Sequence, residues 1–426
     1  MTASLTDWTH TTIGALGRVL TGRTPSSAKP ELFGSEYPFI TPTDIQEGQH
    51  FVRTDRFLSE EGMQSQSSLI LPPKTICFVC IGATIGKICV TDRPSFTNQQ
   101  INSIIVDQGE HDYRFVYHLL RFEADRIKAQ AGGAATPIVN KTAFSNVEVL
   151  VPALRVQQRI GGTLAAYDDL IENNTRRIKI LEETAKMIYD EWFVNFRFPS
   201  HEKATMLESE LGPIPAAWHV KEMQEVAEVI DCLHSKKPEE CENGVGTLLQ
   251  LFNIGEDGEL DLSKRYLISE SDYRLWISRI EVAAGDCVVT NVGRIAAVAQ
   301  IPEGTRAALG RNMTAIRPIR TGITPTFLIQ YLLSPHMSSE VRKKKDAGTI
   351  MDSLNVKGII RLCVPLPPRD LMLRYEEIAR PVRRQIEVLI AKNINLRQTR
   401  DLLLPKLISG KVNVENCEAE AIAQSV

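Results

Sequence analysis

The chain contains itself twice, and that duplication limits what it can fold into more than any other feature. Around Trp8 it reads Trp-Thr-His-Thr-Thr-Ile-Gly-Ala-Leu-Gly-Arg-Val, and around Trp218 it reads Trp-His-Val-Lys-Glu-Met-Gln-Glu-Val-Ala-Glu-Val. Residues 77–90 (CFVCIGATIGKICV) match residues 287–299 (CVVTNVGRIAAVA), so that Gly86-Lys87 falls on Gly293-Arg294. Helix-like stretches at 113–130 and 326–345 follow, each ending in a glycine loop (Gly132-Gly133; Gly348). These lead to Asn140 and Asn355, then to a strand ending at Pro152 or Pro367. The separation is 210 residues at the tryptophans and 215 from Asn140 onward, so small insertions lie within the repeats, as surface loops allow. The repeat is far longer than a solenoid unit. Two whole mixed α/β (α+β) domains are expected, each followed by its own helix.

Those helices carry an unusual pattern. Ile160, Leu164, Tyr167, Ile171, Asn174, Ile178, Leu181, Ala185, Ile188 and Trp192 alternate in steps of four and three, the seam of a coiled coil. The same positions in the second copy are Tyr375, Ala379, Val382, Ile386, Leu389, Asn393, Leu396, Arg400, Leu403 and Leu407. Asn174, Asn393 and Arg400 are the polar exceptions, and a polar seam residue fixes register at a cost in stability. Pro381 is expected to kink the second helix or mark its start, Pro405 to interrupt it, and Gly161-Gly162 to weaken the start of the first. Forty helical residues span roughly 60 Å. Equal lengths and the fixed offset favour pairing of the two seams within one chain, antiparallel and with pseudo-two-fold symmetry; dimerisation of copies is the alternative.

Composition excludes more than it identifies. The net charge is −3, which does not announce a nucleic-acid binder, but residues 287–361 hold 11 Lys/Arg against 4 Asp/Glu. Lys343, Lys344 and Lys345 lie in that segment, where a solvated helix end competes with a phosphate-facing surface. No apolar run reaches the roughly 18 residues of a membrane span, and no signal peptide is evident, so a cytoplasmic location is expected. Cys77 and Cys80 form a C-x-x-C, but inside an apolar strand and without a second pair, which favours buried thiols over a metal site. Gly82-Ala-Thr-Ile-Gly-Lys87 fails as a phosphate loop because only three residues separate its glycines and Ile88 follows the lysine. A tight strand connection that aims Lys87 and Arg294 at DNA fits both copies better. Polar groups able to read base edges cluster nearby: Thr41, Thr43, Thr97, Asn98, Gln99, Gln100 and Lys141 in the first copy, and Asn253, Asn291, Arg311 and Asn312 in the second. Each could equally cap its loop. No methyltransferase Asn/Asp-Pro-Pro-Tyr/Phe motif, Walker A, H-E-x-x-H or G-x-S-x-G occurs, so recognition is expected rather than catalysis.

Several runs resemble one family: Glu210-Leu-Gly-Pro-Ile-Pro-Ala-Ala-Trp218, Leu403-Leu-Pro-Lys-Leu-Ile-Ser-Gly-Lys411, Arg177-Ile-Lys-Ile-Leu-Glu-Glu-Thr184, Trp192-Phe-Val-Asn-Phe-Arg-Phe-Pro199 and the Gly-Ala-Thr-Ile-Gly turn. In order and twice over, they resemble the specificity subunits of type I restriction–modification systems. The resemblance implies target-recognition domains at 1–150 and 218–366, coiled-coil spacer helices at 151–197 and 367–411, a linker at 198–217 and a disordered tail at 412–426. It implies double-stranded DNA as ligand, two methyltransferase subunits as partners that methylate adenine, and leaves open a translocase–nuclease subunit. S-adenosylmethionine, ATP and magnesium then belong to those partners, with no cofactor or metal in this chain. A coiled-coil scaffold without DNA readout is the alternative.

Overall fold

The two copies build the same sheet. In the computed structural model, which describes residues 8–46, 49–131, 137–344 and 353–412, Gly17–Thr21, Ile101–Val106, Ile76–Val79 and Ile88–Val90 lie side by side in an antiparallel sheet. Ala227–Asp231, Met313–Pro318, Cys287–Thr290 and Val298–Gln300 repeat that order. Gly132-Gly133, Gly348 and residues 413–426 of the expected tail lie outside the described residues.

Contacts divide the chain into one unit of Met1–Thr175 with Lys392–Val426 and a second of Arg176–Ala391. In the first, alternation along the central strand explains its unbroken apolar run. Ile76, Phe78 and Cys80 face a core that includes Phe115 and Phe144. Cys77 and Val79 face a second core with Ile40, Ile45 and Leu71. Cys77 and Cys80 therefore sit on opposite faces as free, buried thiols, and burial pushes the Cys80 thiol up to about 12. The hairpin turn needs glycine at Gly82 (φ +88°) and Gly86 (φ +101°). A strand follows Lys87, so there is no helix N-terminus to hold a phosphate.

Each expected helical stretch is split in two, Tyr113–Phe122 with Ala124–Ala129 and Pro325–Leu333 with Pro335–Lys344. In the second, Pro335 drives Ser334 to an extended ψ of 157°. Asn140 and Asn355 cap the short helices Lys141–Ser145 and Val356–Ile360, each accepting a backbone N–H at 2.9 Å. Each unit closes by pairing its opening strand with the strand before its long helix: Thr9–Thr12 with Glu148–Val151, and His219–Glu222 with Cys363–Leu366. The stretch expected as linker holds a small hairpin, Met206–Leu207 with Ile214–Pro215.

The long helices run Leu154–Tyr189, continued by a wider turn at Asp190–Val194, and Arg369–Ile408. None of the expected seam residues is exposed. Pro381, expected to kink the second helix or mark its start, and Pro405, expected to interrupt it, both lie inside the one helix Arg369–Ile408. A proline inside a helix costs about 3 kcal/mol, and burial of Ala379 and Ile386 around one, and Leu404 and Leu407 around the other, offsets it. Gly161, expected as a weak point, is a contact: a Cβ there would lie 2.6 Å from the Phe115 nitrogen. Among the described residues no helix is long and apolar enough to cross a membrane.

Within the first unit the helices run antiparallel, and the polar exceptions find each other. Asn174 Nδ2 donates to Asn393 Oδ1 at 2.9 Å, and Asn393 donates to Thr175 Oγ1 at 3.2 Å. Arg400, 2% exposed, donates to Asp168, which sequence reading left off the seam. In the second unit, Phe193 and Tyr375 stack edge-on with centroids 4.9 Å apart.

Asp168 is also approached by two buried histidines, His118 Nε2 at 3.3 Å and His50 Nδ1 at 3.8 Å. Burial holds both histidines below their usual pKa; for His118, His50, Arg121 and Arg400 add to the effect, whereas Asp168 opposes it for His50. An unfolded chain binds these protons below about pH 6.5 and the folded one does not, so stability is full above that pH and is lost as pH falls. The melting temperature should drop between pH 7 and 5, and His118→Gln should lessen the slope; an unchanged slope contradicts the assignment. Arg400→Ala should cost about 3–5 kcal/mol by stranding buried Asp168, whereas Arg400→Leu with Asp168→Leu should recover most of it in urea unfolding. Equal losses in both would contradict a buried pair.

Candidate nucleic-acid interface

Five of the residues singled out in the first copy converge. Strand Phe33–Ile40 pairs in parallel with Phe96–Thr97 through Ile40 opposite Thr97, which sets loop 41–45 beside turn 98–100. The loop is locally capped: Thr41 N–H and Oγ1 both donate to Asp44 Oδ2, at 2.7 and 2.8 Å. Asn98 closes the turn, accepting from the Gln100 backbone at 3.1 Å and donating to its side chain at 2.9 Å. Lys87 donates to the Ile45 carbonyl at 2.8 Å. Thr41, Thr43, Lys87, Asn98 and Gln100, with Arg56 and Thr84, thus line an open concavity of 350 Å³. Thr97 is buried, exposed Gln99 accepts from Thr24 Oγ1 at 2.7 Å, and exposed Lys141 opens its short helix.

The second copy uses the same scaffold. Leu248 pairs in parallel with Ala308. The Gln250 N–H donates to Asn253 Oδ1 at 2.9 Å, the counterpart of Thr41 and Asp44. Asn253 is wholly buried and donates to the Asp261 and Lys264 carbonyls at 2.7 and 2.9 Å. Arg294 donates to the Ile254 and Gly255 carbonyls at 3.0 and 2.6 Å, as Lys87 does to Ile45. Both basic residues therefore hold the neighbouring loop, and both keep further donors, since Lys carries three and Arg five. Asn291 spends its amide on the Leu354 carbonyl (2.8 Å) and Thr314 Oγ1 (3.0 Å). Arg311 and Asn312 are exposed at the turn, Asn312 with φ +62°. Lys343 pairs with Glu340 at 2.9 Å, while the Lys344 side chain and Lys345 lie outside the described residues.

Sequence reading missed Arg56 and Asp44. Arg56 is half exposed and donates to Thr41, Thr43 (2.9 Å) and Asp44 (3.1 Å). The Thr41-x-x-Asp44 spacing was the available signal, being the pattern of a local cap. It also missed a further repeat: Ser59 and Ser269 each follow a strand and cap the next helix, Glu60–Ser65 or Glu270–Trp276. Such clusters of Arg, Asn, Gln and Thr in a shallow, open surface suit hydrogen bonding to base edges rather than enclosure of a small molecule.

A family model described as a type I restriction modification DNA specificity domain matches residues 6–183. The MjaIX specificity subunit of a type I restriction enzyme from Methanocaldococcus jannaschii is 26% identical over 96% of this chain and 94% of its own length. The HindI specificity subunit from Haemophilus influenzae is 37% identical over 35% of this chain and 33% of its own. Among solved structures, a type I restriction-modification S subunit from M. genitalium superposes with a TM-score of 0.61 at 16% identity, over 94% of this chain and 96% of that one.

Asn253→Ala should cost about 1–3 kcal/mol, since it strands three backbone groups, whereas Arg311→Ala should change stability by less than about 0.5 kcal/mol. Chemical denaturation distinguishes them; a neutral Asn253→Ala would contradict the loop-organising role.

Proposed function

We propose that this chain, which belongs to the family of type I restriction–modification DNA specificity subunits, reads a split, asymmetric DNA site with one half-site per globular unit and carries no catalysis itself. The observation that carries the reading is a single scaffold used twice with different linings: Thr43, Arg56 and Gln100 in the first unit, Arg311 and Asn312 beside an apolar loop tip in the second. Identical linings would serve a palindrome; unlike linings serve two different half-sites. One reader of three or four base pairs discriminates weakly, because each mismatch costs only about 1–3 kcal/mol. Two readers on one chain add their energies and demand correct spacing.

Thr43, Arg56, Gln99 and Gln100 are the proposed base-edge contacts of the first unit, and Arg311 and Asn312 those of the second, with Lys141 and Lys343 as proposed phosphate contacts. Lys87, Arg294, Thr41, Thr97, Asn98, Asn253 and Asn291 shape those surfaces. Two methyltransferase subunits dock along the long helices, supported by exposed Leu170, Ile180, Met187, Val388 and Leu402, which lie outside the seam. The complex then delivers adenine methylation, and cleavage where a translocase–nuclease subunit joins. A scaffold that never reads DNA would leave both loop clusters without a use.

The helix pair sets the spacer in this reading. Removing one heptad from each long helix shortens the pair by about 10 Å at 1.5 Å per residue, or roughly three base pairs at 3.4 Å each. Mapping methylated adenines should then show both half-sites unchanged and the spacer shortened. Altered half-site bases at an unchanged spacing would refute it.

A further inference from the structure

The loop tip of the second unit is built differently from its counterpart. Where the first unit has buried Pro42 and exposed Thr43, the second presents Leu251 and Phe252, 39% and 50% exposed. Scattered exposed apolar residues are ordinary, but these two are adjacent and rigidly held. They open a short 3-10 turn, Leu251–Asn253, anchored by wholly buried Asn253 and by Arg294 on the carbonyls of Ile254 and Gly255. A Cβ on Gly310 would lie 1.8 Å from the Leu249 carbonyl, so the backbone leading to Arg311 packs closely on the segment that leads into this tip. Lys264 Nζ lies 5.3 Å from the Phe252 ring centroid. An apolar tip with Lys264 against its ring, and with Arg294 and Arg311 on the segments packed against its loop, suits one kind of surface: stacked apolar rings between rows of phosphates.

We propose that Phe252, backed by Leu251, is an apolar wedge that enters the base stack of duplex DNA in the half-site read by the second unit. The matching loop positions of the first unit, Pro42 and Thr43, carry no such wedge, and that half-site is read through polar contacts there. Inserted apolar side chains partly unstack a base step and bend the duplex. This rests on the DNA-reading function proposed above and adds where, and in which half-site, the DNA is distorted. The tip's rigidity matters, because a preorganised wedge loses little side-chain freedom on insertion.

The test uses the full chain assembled with its methyltransferase subunits, without S-adenosylmethionine. The probe is duplex DNA carrying the site obtained by mapping methylated adenines, with 2-aminopurine at successive steps of each half-site outside the methylated adenine. Binding should raise 2-aminopurine emission at one step of the second unit's half-site and at none of the other's. Phe252→Ala should abolish that rise and weaken binding about ten- to hundredfold, the range for losing one stacked aromatic, while Phe252→Trp should retain both. No rise with the native chain, or a rise indifferent to Phe252→Ala, overturns the wedge even though site-specific binding persists. So does loss of subunit assembly in Phe252→Ala, which would make the tip a protein contact. A native complex that retains no DNA in a site-dependent way overturns the DNA-reading function itself.

Discussion

The buried polar pairing between the two long helices is the constraint on which the rest depends. An apolar seam alone tolerates slippage by a heptad, because one leucine replaces another at little cost. Asn174 against Asn393 and Asp168 against Arg400 remove that freedom. Any slip would leave two amides and two charges buried without partners, at about 1–3 kcal/mol for an amide and about 3–5 kcal/mol for the broken ion pair. Asp168 extends the constraint into the globular part of the first unit, since His50 comes from a loop and His118 from helix Tyr113–Phe122. Asp168 thereby links helix register to the seating of the first sheet.

Upon that frame, one scaffold is used twice with its chemistry changed at the surface. A parallel strand contact, a locally capped loop, a basic residue donating to that loop and a tight turn recur in both units. What differs is what projects: threonine, arginine and glutamine in one, apolar side chains with arginine and asparagine in the other. Duplication preserves the buried hydrogen bonds because losing them unfolds the loop. It frees the tips because they carry little folding energy. This is how a single chain comes to present two unlike surfaces on one scaffold.

The architecture was legible in sequence because it rests on periodicity. The steps of four and three marked both helices, and the glycine hairpin marked both sheets. Even the pairing of Asn174 with Asn393 was foreshadowed, since both broke otherwise apolar seams. Local patterns could not reveal Asp168 as the partner of Arg400, because a buried charge one step off a seam looks like a solvated one. Nor could they separate Asn253 from Asn312. Both are loop asparagines, yet one is wholly buried and bonded three times and the other is exposed. The prolines misled for a related reason. Propensity assigns them a cost in isolated helix, and tertiary burial outweighs it.

The most direct measurement exchanges residues 218–366 for the matching segment of another family member and maps methylated adenines across a genome. The account requires that one half-site change to that of the donor while the other half-site and the spacer stay as they were. Changes in both half-sites, or in neither, would contradict two independent readers on one helical frame.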